Sequence, residues 1–93
     1  MNRHYLSWFD PDKKQYSSAG VAFYDEKYGE YELRIDSLQG KYFLKAIGTN
    51  NNKIQYRVEI FKNHRYPVGQ GTTKDGDIFM DIPPYNTSLV LHQ

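Results

Sequence analysis

Cysteine is absent from this chain, so neither a disulfide nor a thiolate zinc site can hold it together, and the absence suits a reducing compartment. Long apolar runs are absent too. Nothing approaches the ~20 apolar residues that a membrane-crossing helix needs, and the opening Met1-Asn-Arg-His-Tyr5 lacks the apolar stretch of a secretory signal. These absences predict a cytoplasmic protein with no membrane span. Charge of one sign is missing as well: 12 Lys and Arg against 11 Asp and Glu leave a formal +1, too little for a field that would gather nucleic acid, a lipid surface or an acidic partner. No segment shows the i, i+3, i+4, i+7 spacing of an amphipathic helix. With no internal repeat, low-complexity tract or linker either, the 93 residues predict one domain, residues 1–93, with one modest core.

What is abundant is aromatic. Nine tyrosines and five phenylalanines favour strands and supply large buried area per residue. The clearest pattern is Ile54, Tyr56, Val58 and Ile60 alternating with Gln55, Arg57 and Glu59, the period of a half-buried strand. Before it stand Tyr42, Leu44 and Ala46 on one face of Lys41–Ile47. Matching apolar sets pairs Ala46 with Ile54, Leu44 with Tyr56 and Tyr42 with Val58, and leaves Gly48–Asn52 as a loop.

A second hairpin is predicted from Val21–Tyr24 and Glu30–Asp36. Val21 and Phe23 face inward opposite Leu33 and Tyr31, Glu26 to Tyr28 form the loop, and Gly29 adopts a left-handed conformation. Tyr5–Phe9 opens the chain as a short strand, Asp10-Pro-Asp-Lys-Lys14 is a turn, and Ser17-Ser-Ala-Gly20 leads into Val21–Tyr24. Ser37–Gly40 is a short link between hairpins. Lys62–Arg65 reads as a polar turn. Tyr66–Gly71 follows as a short extended piece that Pro67 confines to an edge or a late strand start, and Pro67, Pro83 and lysines near strand ends read as guards against edge pairing. Asp75-Gly76 marks a turn before Ile78, Met80 and Ile82, and Leu89 and Leu91 face inward on a last strand. Seven or eight short strands spaced by roughly 8 to 12 residues predict an all-β antiparallel sandwich or small barrel joined mainly by hairpins.

Chemistry is harder to find. His4, His64 and His92 have no ligand-spaced neighbours and read as surface residues, so no metal or cofactor is predicted. Asp75-Gly-Asp77 lacks the remaining ligands of a calcium loop, and Gly69–Lys74 lacks the spacing and following helix of a phosphate cradle. Ser17 and Ser18 have no base, and Glu30, Glu32 and Asp36 read as a solvated acidic strand face. The Pro-Pro-Tyr ending at Tyr85 lacks the spacing of a WW-domain ligand. No nucleophile, base or metal set predicts an enzyme.

One constellation remains, on the outer face of the Lys41–Phe61 hairpin. The expected register sets Lys41 opposite Glu59, Phe43 opposite Arg57 and Lys45 opposite Gln55, with Phe61 and Arg65 beyond. Phe43, Lys45, Arg57, Phe61 and Arg65 are thus the candidate binding residues. Such a face fits a protein partner. The alternative is single-stranded nucleic acid, with bases stacked on the rings and phosphates on the cations. Whether Phe43 and Phe61 are exposed decides whether that face is available at all.

In the C-terminal half, Tyr56-Arg-Val58, then Val68-Gly69, then Ile78-Phe-Met-Asp-Ile-Pro-Pro84 before a final apolar strand, resemble the layout of a small uncharacterised all-β family often encoded beside bacterial conjugation genes. The resemblance spans roughly Asn52 to Leu91. It implies a mobile-element accessory protein and no active-site residues.

Overall fold

The computed structural model describes residues 3–93 and builds them into eight strands: β1 (Arg3–Asp10), β2 (Gln15–Asp25), β3 (Glu30–Ile35), β4 (Lys41–Asn50), β5 (Lys53–Lys62), β6 (His64–Lys74), β7 (Asp77–Asp81) and β8 (Ser88–Leu91). Each pairs antiparallel with the next, and β8 returns to pair with β1, so the all-β chain closes into an up-and-down barrel. Between sandwich and barrel, closure decides for the barrel. It also leaves no sheet edge. Pro67 and Pro83 therefore guard none, and Pro67 lies within β6 opposite Glu59, where Val68 is an extra residue in the ladder.

The interior is apolar. Leu6, Leu33, Leu44, Val58, Ile78, Met80, Leu89 and Leu91 are fully buried there, as the alternation of β3, β5, β7 and β8 predicts. Strands β2 and β6, which stand opposite each other in an eight-strand ring, contribute small residues instead: Gly20 and Ala22 from one, Gly69 and Gly71 from the other. A Cβ on Gly69 would lie 2.2 Å from the Asp81 carbonyl oxygen, so only glycine lets β6 and β7 approach as they do. Small residues on two opposed strands make room for the larger side chains of the other six. Aromatic plugs fill both ends. Tyr24 packs edge-on against Tyr31 beside Tyr56 at one end, and Trp8 and Tyr42 neighbour Tyr85 at the other. The outward faces of β3, β4 and β5 carry Glu32, Arg34, Lys45 and Arg57 beside Phe43 and Phe61. No helix among the described residues is long and apolar enough to cross a membrane.

Two expected registers differ from the structure. In β4–β5 the apolar sets meet as predicted, but two residues further along: Ala46 pairs with Tyr56, Leu44 with Val58 and Tyr42 with Ile60. The five-residue loop is in fact a tight turn at Asn51 and Asn52, both at positive φ, and Ile47 is an extra residue in β4 that restores parity. Ile54, expected inward, is 40% exposed near the start of β5. In β2–β3 the parity itself is reversed. Val21 and Phe23 point outward opposite Arg34 and Glu32, while Ala22 faces the core beside Leu33. The pair Asp25 and Glu30 closes a four-residue loop, with Asp25 Oδ1 accepting from the backbone N–H groups of Lys27 and Tyr28 and Gly29 at φ 64° as predicted. Ser17 and Ser18 lie inside β2, paired with Trp8 and Ser7, and β6 begins at His64, so the turn expected over Lys62–Arg65 shrinks to Asn63 at φ 66°.

Candidate binding face

Antiparallel pairing aligns outward residues of neighbouring strands in rows that cross the sheet. One row runs Phe23, Glu32, Phe43, Glu59, Pro67 through β2 to β6, so aromatic rings alternate with carboxylates. The next runs Asp25, Glu30, Lys45, Arg57, Gln70. Hence Phe43 stands opposite Glu59 and Lys45 opposite Arg57, correcting the pairs expected from the sequence, and Lys41 stands opposite Phe61.

Arg65 organises this face. Its guanidinium lies 3.8 Å from the centroid of the Phe43 ring and donates two hydrogen bonds to Glu30, at 2.7 and 2.6 Å, and a longer one of 3.4 Å to Glu59. Arg57 Nε donates to the other Glu59 oxygen at 2.8 Å. The bonds to Glu30 hold the Arg65 guanidinium above its ordinary pKa, against the opposing effect of burial, with Glu59 adding to the rise. Glu30 and Glu59 are only 5% and 7% exposed. Glu30 therefore belongs to a buried ion cluster and not to a solvated acidic face, and its neighbour Glu32 is the exposed one, bonded to Arg34.

Of the five candidate residues, the structure brings Phe43, Arg57 and Arg65 into one connected cluster and places Lys45 beside Arg57. Phe61, across from Arg65 and Lys41, is 45% exposed. Phe43 is half-buried beneath Arg65, which covers the ring face that a base would stack on. The cations meant for phosphates, Arg57 and Arg65, already hold carboxylates.

Beside this cluster, on β2, β3 and the start of β4, is an open cleft of about 540 Å³. Phe23, Tyr24 and Phe43 give it aromatic walls, and Asp25, Glu26, Glu30 and Glu32 outnumber Arg34. The Arg34 guanidinium lies 4.7 Å from the Phe23 centroid, and its Nε donates to Glu32 at 3.0 Å. Sequence reasoning missed the cleft because it placed Phe23 in the core. A smaller depression at the β4–β5 and β6–β7 turns is lined by Lys53, Lys74 and Asp75.

A third arrangement was invisible in the sequence. His92 Nε2 lies 2.9 Å from Ser7 Oγ and His92 Nδ1 lies 3.3 Å from Asp77 Oδ2, while Asp77 Oδ1 accepts the Gln93 backbone N–H at 3.0 Å. His92 is thus not an isolated surface histidine. His4, edge-on to Tyr31 at 5.4 Å, reaches the His92 carbonyl oxygen at 3.2 Å. The Ser7, His92 and Asp77 atoms follow the order of a nucleophile–base–acid relay. Ser7, however, lies in a strand laddered on both sides, where pairing engages the backbone N–H groups that an oxyanion would need, and the two clefts lie elsewhere. Its physical work is to tie the residues after β8 to β1 and β7. The β7–β8 pairing sets Asp77 beside His92, and barrel closure through β1–β8 brings Ser7, 85 residues away in sequence, to the same ring.

No known protein family, curated protein or solved structure matches the chain.

Proposed function

We propose that this chain is a non-enzymatic binding module that docks a protein partner through the outward face of β2 to β5. The observation that supports this reading most is the cleft on that face, where exposed Tyr24 and the half-buried rings of Phe23 and Phe43 lie among charges that can orient a partner. Phe61, nearly half exposed at the far side of the same face, extends the apolar surface beyond the cleft. A rigid, laddered platform also suits docking, because little side-chain or backbone order remains to be lost on association. A cytoplasmic accessory role in a bacterial mobile element, as the C-terminal resemblance implies, belongs to the same proposal.

The test is a titration of the ¹⁵N-labelled chain with short peptides of four kinds, basic, acidic, aromatic and aliphatic, followed by amide resonance shifts. Saturable shifts confined to the rows through Phe23, Phe43, Lys45 and Arg57 are the expected result. Shifts elsewhere, or none with any peptide, overturn the reading. An oligothymidine run in parallel tests the nucleic-acid alternative. Salt-dependent shifts at Lys45, Arg57 and Phe61 would replace a protein partner by single-stranded nucleic acid.

A further inference from the structure

The outer face contains the same device twice: a guanidinium lying on a phenylalanine ring and held by carboxylate. In one copy Arg65 lies on Phe43 and is bonded to Glu30 and Glu59, both buried. In the other, Arg34 lies on Phe23 and is bonded only to Glu32. The first copy is closed, since releasing Arg65 would strand the buried Glu30 without its ion pair and leave Glu59 with Arg57 alone. The second is open. The Arg34 side chain is 65% exposed, that of Glu32 is 38% exposed, and the pair lines the 540 Å³ cleft whose other charged residues, Asp25, Glu26 and Glu30, are all acidic. A surface ion pair of this kind is held weakly and is readily exchanged.

We propose that the Phe23–Glu32 copy is a binding site for an arginine side chain of a protein partner, occupied in the free chain by Arg34 as a placeholder. This rests on the docking reading above and names the chemistry of the partner: a basic segment carrying at least one arginine. Charge complementarity carries the choice of occupant: with Glu30 held by Arg65, the lining still sets Asp25, Glu26 and Glu32 against one cation, Arg34. Geometry selects arginine over lysine. A planar guanidinium stacks on a ring while its N–H groups fork onto a carboxylate, as Arg65 does on the same sheet, whereas an ammonium offers only a point charge. When a partner's guanidinium enters, Arg34 swings into solvent, and Glu30 remains held by Arg65, so the platform stays in place.

The experiment titrates the ¹⁵N-labelled full chain and three variants with hexa-arginine, hexa-lysine and hexa-glutamate. Hexa-arginine should shift Phe23, Glu32, Arg34 and Phe43 and bind about three- to tenfold more tightly than hexa-lysine. Arg34→Ala, which removes the placeholder, should tighten hexa-arginine by about three- to tenfold, and Glu32→Gln should weaken it by a similar factor. Lys13→Ala makes the same charge change in the β1–β2 turn and should alter binding less than twofold, about what net charge alone contributes. Equal affinity for hexa-lysine, or an Arg34→Ala variant that binds no better than Lys13→Ala, overturns the arginine site. If acidic, aromatic or aliphatic peptides shift this face while hexa-arginine does not, the arginine site fails and the docking reading stands. If no peptide shifts it, the docking reading itself fails.

Discussion

Removing the guanidinium of Arg65 leaves Glu30, only 5% exposed, without its ion-pair partner, while Glu59 keeps Arg57 alone. Truncating one partner of a fully buried ion pair costs about 3–5 kcal/mol, and because the Arg65 side chain is 34% exposed, Arg65→Ala should cost less, about 2 kcal/mol, read as a lowered urea midpoint at unchanged slope. Arg65→Lys should recover only part of that loss, since an ammonium can neither fork onto Glu30 nor stack on Phe43. Arg34→Ala is the contrasting case and should cost no more than about 0.5 kcal/mol, because its pair with Glu32 is solvated. Equal losses for the two variants would mean that burial does not distinguish the two copies. Phe43 and Arg57 were legible on one face from the sequence because alternation puts them there, whereas Arg65 was read in a polar turn beyond the strand and joins them through β6. Glu30 was not legible, because its neighbours Glu32 and Arg34 make the strand look like a solvated stripe. Its burial comes from an arginine 35 residues later, and no local pattern records that.

The strand pair β4–β5 shows at the level of elements what alternation fixes and what it leaves open. It groups Tyr42, Leu44 and Ala46 with Tyr56, Val58 and Ile60, and those sets do meet. It does not say how many residues the turn takes, and a bulge at Ile47 together with a two-residue turn shifts the pairing while Tyr42, Leu44, Tyr56, Val58 and Ile60 keep their face. In β2 the same reasoning failed more deeply. Val21 and Phe23 share a face, as read, but that face looks outward: Phe23 is covered by Arg34, and the inner positions are held by Gly20 and Ala22. Alternation identifies the two faces of a strand. Which one is inward depends on the space left by strands across the barrel. The turn itself yields a prediction. Asn51 and Asn52 have φ of 53° and 65°, the region in which a Cβ is strained and glycine is not. Asn52→Gly should therefore stabilise the chain by about 0.5–1 kcal/mol, measured by thermal or urea unfolding. A destabilised variant would mean that the Asn52 side chain contributes more than its backbone conformation costs.

Across the whole molecule, closure makes both the ends and the seam matter. Tyr42 and Tyr56 fill opposite ends, and burial, reinforced by the neighbouring tyrosines, raises both phenol pKa values above the usual 10.0. A group whose folded pKa is raised keeps its proton longer folded than unfolded. The stability it contributes is complete below about pH 10 and is lost as pH rises through the folded value. Stability should thus fall on an alkaline limb above pH 10, and the Tyr42→Phe/Tyr56→Phe double variant should flatten that limb while leaving the neutral region little changed. An unaltered limb would place the alkaline transition on other groups. The seam is the other consequence. β8 is four residues long and pairs with β1 only through Leu6–Phe9 and with β7 only through Ile78–Met80, whereas β4 and β5 pair over nearly their whole lengths. The bonds of Asp77 to His92 and Gln93, of His92 to Ser7, and of the His92 backbone N–H to the Tyr5 carbonyl oxygen at 3.0 Å extend that short seam past Leu91. Asp77→Ala removes two of these contacts, worth about 1–2 kcal/mol together, so local opening of β8 should become about tenfold more frequent. Native-state hydrogen exchange reads this directly: the Leu89 and Leu91 amides should exchange about tenfold faster while those of Leu44 and Val58 keep their rates. Equal acceleration of all four would show that β8 opens only with the whole barrel, and that closure is cooperative around the ring.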